Sequence, residues 1–256
     1  MKPEAICFFD MDGTLLTSAS EVSLKSLEAL DKMRQNRVLP MIATGRTLTE
    51  IDHLMTITGI DSAVIMNGQA VMYQGEKVYQ DVLEEELLRR LKEAADSQNI
   101  PLCFYNETKI RATQNGSALD KHFKYLGQPS PDVDPSLYLK EEINMALLLL
   151  ESGDEYFPER FPELQFVRNT PFSNDVLRKN GSKAKGITAM LKVMGYQDVP
   201  TYAFGDGLND LEMFQAVSCG VAMDNAVPEL KEQAKFITKN NNEEGIYWGL
   251  KQIGLI

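Results

Sequence analysis

An α/β fold is what this sequence predicts, built as a doubly wound parallel sheet with an α+β module inserted into it. Three observations carry the prediction. Short apolar runs alternate with helix-spaced segments up to about residue 80, the same alternation returns from Ser182, and the stretch between has a different texture. Apolar runs without polar alternation, joined by helical segments, indicate parallel strands covered on both faces.

Taken in order, Ala5 to Phe9 is an apolar run that stops at Asp10. Leu24, Leu27, Leu30 and Met33 recur at helical spacing behind Ser23, a candidate N-cap. Val38 to Ala43 reads as a second buried strand, ended by Thr44-Gly45-Arg46, and Thr47 to Thr58 as a helix. Ala63 to Met66 is a third strand, stopping at Asn67-Gly68, and Val71–Tyr73 with Lys77–Tyr79 suggest a hairpin around Gln74-Gly75-Glu76.

The insert begins with a charged amphipathic helix, Glu84 to Gln98. Strand candidates follow near 102–105, 109–112, 146–150, 164–167 and 175–177. Helices are expected near Ser117–Tyr125 and Tyr156–Phe161, and a loop at Gln128–Pro135 with its three prolines. From Ser182 a helix to Met194 leads into a strand, Thr201–Phe204, that ends at Gly205-Asp206. A helix with Leu211 and Phe214, a strand at Gly220–Ala222, a helix from Pro228, a strand at Phe236–Thr238 and a helix through Trp248 complete the chain. The expected division is a core of residues 1–82 and 181–256 around an inserted domain of residues 83–180.

Composition narrows the function. The 256 residues are 43% hydrophobic and 25% charged, ordinary for a globular chain. A net charge of −11 repels nucleic-acid and anionic-lipid backbones, so neither is an expected partner. Cys7, Cys103 and Cys219 form no CxxC pair, which speaks against a zinc knuckle or disulfide framework and suits a reducing compartment. With no apolar run able to span a bilayer, the expected location is cytoplasmic.

In open parallel sheets reactive groups gather beyond the carboxyl ends of the strands. Those ends here carry Asp10-Met11-Asp12-Gly13-Thr14, Thr44-Gly45-Arg46, Asn67-Gly68 and Gly205-Asp206-Gly207-Leu208-Asn209-Asp210. This donor set suits Mg²⁺, which prefers hard oxygen ligands. Asp10 and Asp12, two apart after a buried strand, repel one another unless a cation or a proton intervenes. A solvated turn is the plain alternative for them, but Asp-x-Asp-Gly-Thr arises by chance only about once in several hundred chains of this length. Thr44, Asn209 and Asp210 could each be ordinary helix caps. Lys183 lies four before Ile187 and seven before Met190, on the inward stripe of its helix, whereas Lys185 is turned roughly 200° away toward solvent. Lys183 is therefore the candidate phosphate contact, against the alternative of a snorkelling surface lysine. His53 and His122 lie in helical segments away from every motif and are expected to pack or be solvated.

In this order the four segments resemble the haloacid dehalogenase (HAD) superfamily of phosphohydrolases, and the placement of the insert is similar to the Cof-type subfamily IIB, with a Rossmann-like core and a C2B-type cap. The resemblance covers essentially the whole chain. It implies Asp10 as nucleophile and Asp12 as the acid that protonates the leaving oxygen and later activates water. It implies Thr44 and Lys183 as holders of the phosphoryl oxygens. Mg²⁺ would be bound by Asp10, the backbone carbonyl of Asp12 and Asp206, with Asp210 supporting and Asn209 positioning that loop; Arg46 and Asn67, at core strand ends with Gly45 in support, are suggested to touch the leaving group. The cap would close over the site; Tyr105, Arg111 and Asn169 are the cap residues suggested to face inward. The partner implied is a small phosphate ester, most commonly a sugar phosphate, with nucleotide, flavin and pyridoxal phosphates as alternatives. The chain is expected as a monomer or small homo-oligomer. Two rivals remain: a sugar-phosphate mutase, and a phospho-accepting receiver, which Asp12 and the size of the insert disfavour.

Overall fold

The computed structural model describes residues 2–153 and 155–256, apart from the side chain of Asn169. The described residues divide into two compact units. The larger holds the chain up to Arg46, Glu50–Tyr79 and Ser182–Ile256; the smaller holds Gln80–Gly181 and Thr47–Thr49.

The larger unit is an eight-stranded sheet. Its strands are β1 (Ala5–Phe9), β2 (Val38–Ala43), β3 (Ala63–Ile65), β4 (Ala70–Tyr73), β5 (Glu76–Gln80), β11 (Thr201–Gly205), β12 (Cys219–Ala222) and β13 (Phe236–Ile237), in the order β13-β12-β11-β1-β2-β3-β4-β5. Pairing is parallel from β13 through β3, and β4 joins β3 antiparallel. The chain order reverses about β1, with β2 on one side and β11 on the other, the switch point at which open α/β sheets place ligands.

Alternation along the strands sorts the core into two layers. Ile6, Phe8, Met41, Ala43, Val64 and Ala203 meet helices α6 (Lys183–Met194), α7 (Leu211–Ala216) and α8 (Pro228–Gln233) through Ile187, Met190, Met213, Phe214 and Leu230. Phe9 and Phe204 point the other way and stack at 5.3 Å between centroids. Helix α9 (Gly245–Gln252) crosses Phe204 at Gly249, where a side chain would collide with the ring, and α1 (Leu24–Gln35) packs beside α9. Truncating a fully buried Phe such as Phe8 costs about 3–5 kcal/mol.

The helical stripe read for α1 holds at Leu30 and Met33, but Leu24 is 84% exposed and the inward face is completed by Ser26 and Ala29. Ser23 accepts from the N–H of Ser26, so Leu24 is the first helical residue, where the chain still projects outward. Lys185, expected in solvent, is half-buried.

The smaller unit is a five-stranded antiparallel sheet, β6 (Leu102–Tyr105), β7 (Ile110–Ala112), β8 (Met145–Leu148), β9 (Leu164–Thr170) and β10 (Ser173–Arg178), ordered β7-β6-β8-β10-β9. One face, with Leu102, Phe104, Ala146, Leu148 and Val176, is covered by α3 (Glu85–Ser97) through Leu87, Leu88, Leu91 and Ala95. Cys103 and Tyr105 alternate to the other face; Arg111 donates to the carbonyl of Ile110 and lies 4.0 Å from Asp132. The expected inward aim of Asn169 falls on a side chain outside those described. His122 is buried beside Thr170, and His53 is exposed, in keeping with the roles read for them. All three cysteines are buried free thiols. Among the described residues no helix is long and apolar enough to cross a membrane.

Candidate active site

Each strand of the larger unit that ends near β1 delivers a polar residue at its carboxyl end. After β1 the chain makes a wide turn, Met11–Leu15, closed by the N–H of Leu15 on the carbonyl of Asp10 and that of Leu16 on Met11, five residues apart in each case. Within it Asp12 is extended and Gly13 has φ +76°, the left-handed region; a Cβ there would also lie 2.2 Å from an Asp206 carboxylate oxygen. The turn therefore brings Thr14 against the β11 loop only because residue 13 is glycine.

Lys183 comes from the first turn of α6. This helix can approach the β3 end because Gly68, at φ +88°, leaves room for the carbonyl of Ser182, which a Cβ would meet at 2.0 Å. Ser182 caps the helix by accepting from the N–H of Lys185. The result is a lysine with no exposed surface, its Nζ 2.6 Å from Asp10 Oδ1 and 2.7 Å from Asp210 Oδ1. The other Asp210 oxygen accepts the backbone N–H groups of Asp206 at 3.0 Å and Gly207 at 3.1 Å. Asp210 is thereby fully engaged as a brace between the β11 loop and Lys183.

Asp206 accepts from Thr14 Oγ1 at 2.7 Å. Carboxylate oxygens of Asp10, Asp206 and Asp210 lie within 4.8 Å of one another. Three carboxylates against one ammonium leave a formal excess of two negative charges in a site where Asp10 is only 7% exposed. Burial pushes the Asp10 carboxyl well above the ordinary aspartate range; Lys183 pulls it down, and Asp210 and Asp206 push it up again. Asp206 rises to about 6, first through burial, with the Thr14 hydrogen bond opposing and the Asp210 charge adding to it. Burial works against the Lys183 charge, but Asp10 and Asp210 outweigh it and hold the ammonium above its usual range. A divalent cation with oxygen preference fits this donor set, since it matches the excess charge and offsets both the burial and the mutual repulsion that raise the two aspartates. Asp10 and Asp206 are the side chains free to hold it.

The remaining predicted residues fall around this cluster. Asp12 extends away from the carboxylates, 61% exposed, and is gripped by both sides of the Arg46 guanidinium, Nε to Oδ2 at 2.9 Å and Nη2 to Oδ1 at 2.5 Å. Thr44 is buried, and its Oγ1 accepts the N–H of Arg46 at 3.1 Å. Asn67, at φ +51°, is buried beside Gly45 and accepts weakly from Asn209 Nδ2 at 3.4 Å. Thr14 has no task that its place in the first motif reveals; its contact with Asp206, 192 residues away, supplies one.

With that geometry in view, likeness to known proteins is informative. Residues 7–250 match the haloacid dehalogenase-like hydrolase family. YkrA of Bacillus subtilis, named as a phosphatase, is 35% identical over 252 residues, 98% of each chain. A crystal structure of a hypothetical protein from Geobacillus kaustophilus is 41% identical with a TM-score of 0.92, covering 98% of this chain and 99% of that one. The HAD subclass IIB sugar phosphatase BT4131 is 26% identical with a TM-score of 0.86, covering 98% and 100%. Together with the strand-end carboxylates, these likenesses show that the chain belongs to the haloacid dehalogenase-like hydrolases, among their phosphoric monoester hydrolases.

Proposed function

We propose that the chain is a Mg²⁺-dependent phosphatase that releases phosphate from a small phosphorylated metabolite, most simply a sugar phosphate, through an aspartyl-phosphate on Asp10. The observation that carries this reading is the buried Lys183 bridging Asp10 and Asp210, with Asp206 completing an over-negative cluster at the switch point of the sheet.

Asp10 attacks phosphorus through a carboxylate oxygen, and the bond from phosphorus to the ester oxygen breaks while Asp12 gives that oxygen a proton. Water then attacks the phosphorus, Asp12 takes the proton from it, and the Asp10–phosphorus bond breaks to free phosphate. In this reading Lys183 and Thr44 hold the phosphoryl oxygens, with Lys183 offsetting their charge at a buried site. Asp10, Asp206 and the carbonyl of Asp12 would hold Mg²⁺, which when bound supplies further charge neutralisation and keeps Asp10 ionised at neutral pH. Arg46 must yield Asp12 or share it once the ester arrives. The smaller unit is assigned the choice of substrate, and the naming of BT4131 as a sugar phosphatase supports a sugar as its leaving group.

The test is phosphate release from a panel of small phosphate esters, in Mg²⁺ and in EDTA. Mg²⁺-dependent release, greatest with one class of ester, supports the reading and begins to name the substrate. A folded protein that frees no phosphate, yet converts one sugar phosphate to its isomer, would replace it with a mutase.

A further inference from the structure

Three asparagines from the C-terminal part of the larger unit grip the segment that carries Asp12. Asn225 Nδ2 donates to the carbonyl of Gly13 at 2.7 Å, while its Oδ1 accepts the backbone N–H of Asn241 at 3.0 Å. Asn241 Nδ2 donates to the carbonyl of Leu16 at 2.8 Å. Asn242 takes hold further along: its Oδ1 accepts the N–H of Ser18 at 2.9 Å and its Nδ2 donates to Ser18 Oγ at 2.8 Å. Asn240 steadies this loop, its Oδ1 accepting the N–H of Asn242 at 2.9 Å.

The turn they grip is an unusual one. Its backbone departs from helical geometry at Asp12 and Gly13, so its own internal bonds fix only its two ends. Gly13 lies inside the turn and Leu16 just past it, so holding their two carbonyls fixes the Gly13–Thr14 and Leu16–Thr17 peptide planes, which bracket Thr14, whose hydroxyl is tied to Asp206. Asp12 is held differently: its side chain is mostly exposed and paired with Arg46, a partner that has to yield or share it when the ester arrives. Once Arg46 yields, the direction of its carboxyl group is set through the backbone.

Amide chemistry is what the position demands. Asn225 donates and accepts at the same time, which a carboxylate cannot do. An aspartate there would set an oxygen against the Gly13 carbonyl and add negative charge near a cluster that already has an excess of it.

We infer that Asn225 and Asn241 are positioning residues that hold the Met11–Leu15 turn so that Asp12 meets the leaving-group oxygen. The inference rests on the phosphatase reading of Asp10 and Asp12. The turn is one mechanical unit, so removing either grip loosens both, and the two effects overlap rather than add.

The experiment is steady-state kinetics of the full chain in saturating Mg²⁺ for Asn225→Ala, Asn241→Ala and the double variant. Each is assayed with an alkyl phosphate drawn from the active esters and with p-nitrophenyl phosphate, whose leaving group departs without a proton. The expected result for each single variant is a fall in kcat on the alkyl ester of about tenfold, the scale of one lost hydrogen bond. KM should stay within about twofold, the loss should be smaller on p-nitrophenyl phosphate, and the double variant should be little worse than either single one. If a variant to alanine does not fold, Asn225→Ser and Asn241→Ser are judged by the same criteria. Folded variants that keep the wild-type kcat, or lose equally on both esters, overturn the inference while wild-type turnover leaves the phosphatase reading intact. A wild-type protein without phosphatase activity removes both.

Discussion

Both units of this molecule carry solvated ion pairs at helical spacing, but they differ in the charge they bury. In the larger, Lys183, Asp10 and Asp210 form ion pairs with almost no exposed surface, and Asp206 adds a further acid beside them. In the smaller, Arg89 pairs with Glu86 and Glu93 along α3, and Lys92 with Asp96, with substantial exposure on most of these side chains. Solvated pairs at helical spacing contribute little to stability and are screened by salt. Buried ions cost several kcal/mol each to desolvate and repay it only with close partners. A fold retains an over-negative buried cluster where the charge has work to do, and the contrast supports the proposal of chemistry in the larger unit without reference to any motif.

The sharpest way to break that contrast is Asp10→Asn. It keeps the shape and removes the nucleophile, so phosphate release should fall by more than about 10³-fold, read by the ester assay on folded protein. Lys183→Met should come next. Losing an ammonium aimed at the transferring phosphoryl group should lower kcat about 10²- to 10³-fold. Leaving Asp10 and Asp210 buried without their cation should cost about 3–5 kcal/mol of stability, measured by urea unfolding in EDTA. Little loss of stability would mean that the cluster is more solvated than its burial indicates.

A subtler effect follows from Asp206, whose carboxyl is raised from 3.8 to about 6. Because the folded value lies above the unfolded one, the folded protein binds the extra proton between those pH values. Stability of the metal-free protein therefore rises as pH falls from about 6 toward 4, the reverse of a carboxylate held ionised by a partner. Thermal midpoints against pH in EDTA should show this rise, Asp206→Asn should reduce it, and saturating Mg²⁺ should flatten it. The smallest effect is expected in the other unit, where Arg89→Ala should leave both the thermal midpoint and turnover essentially unchanged.

How much of this could be read from the sequence follows from how local each determinant is. The strand ends were legible because each buried strand is a continuous apolar run that stops at a polar residue, as at Phe9-Asp10 and Phe204-Gly205-Asp206. Lys183 was legible because helical periodicity places it in line with Ile187 and Met190, and the structure buries it there. Leu24 misled because apolar spacing does not register that a helix's first residue can point outward. The Arg46–Asp12 pair and the asparagine grip depend on loops that meet only in three dimensions, Asn225 and Gly13 being 212 positions apart. An asparagine in a loop reads as turn chemistry, and nothing in its neighbours says which carbonyl it will hold.

The most direct test of the central claim is a rapid acid quench during turnover of the best ester, followed by peptide mapping. The account predicts one phosphoryl group on the peptide containing Asp10, present only when Mg²⁺ is supplied and absent in Asp10→Asn. Phosphate release that continues in Asp10→Asn, or a phosphoryl group carried by a different residue, would contradict it.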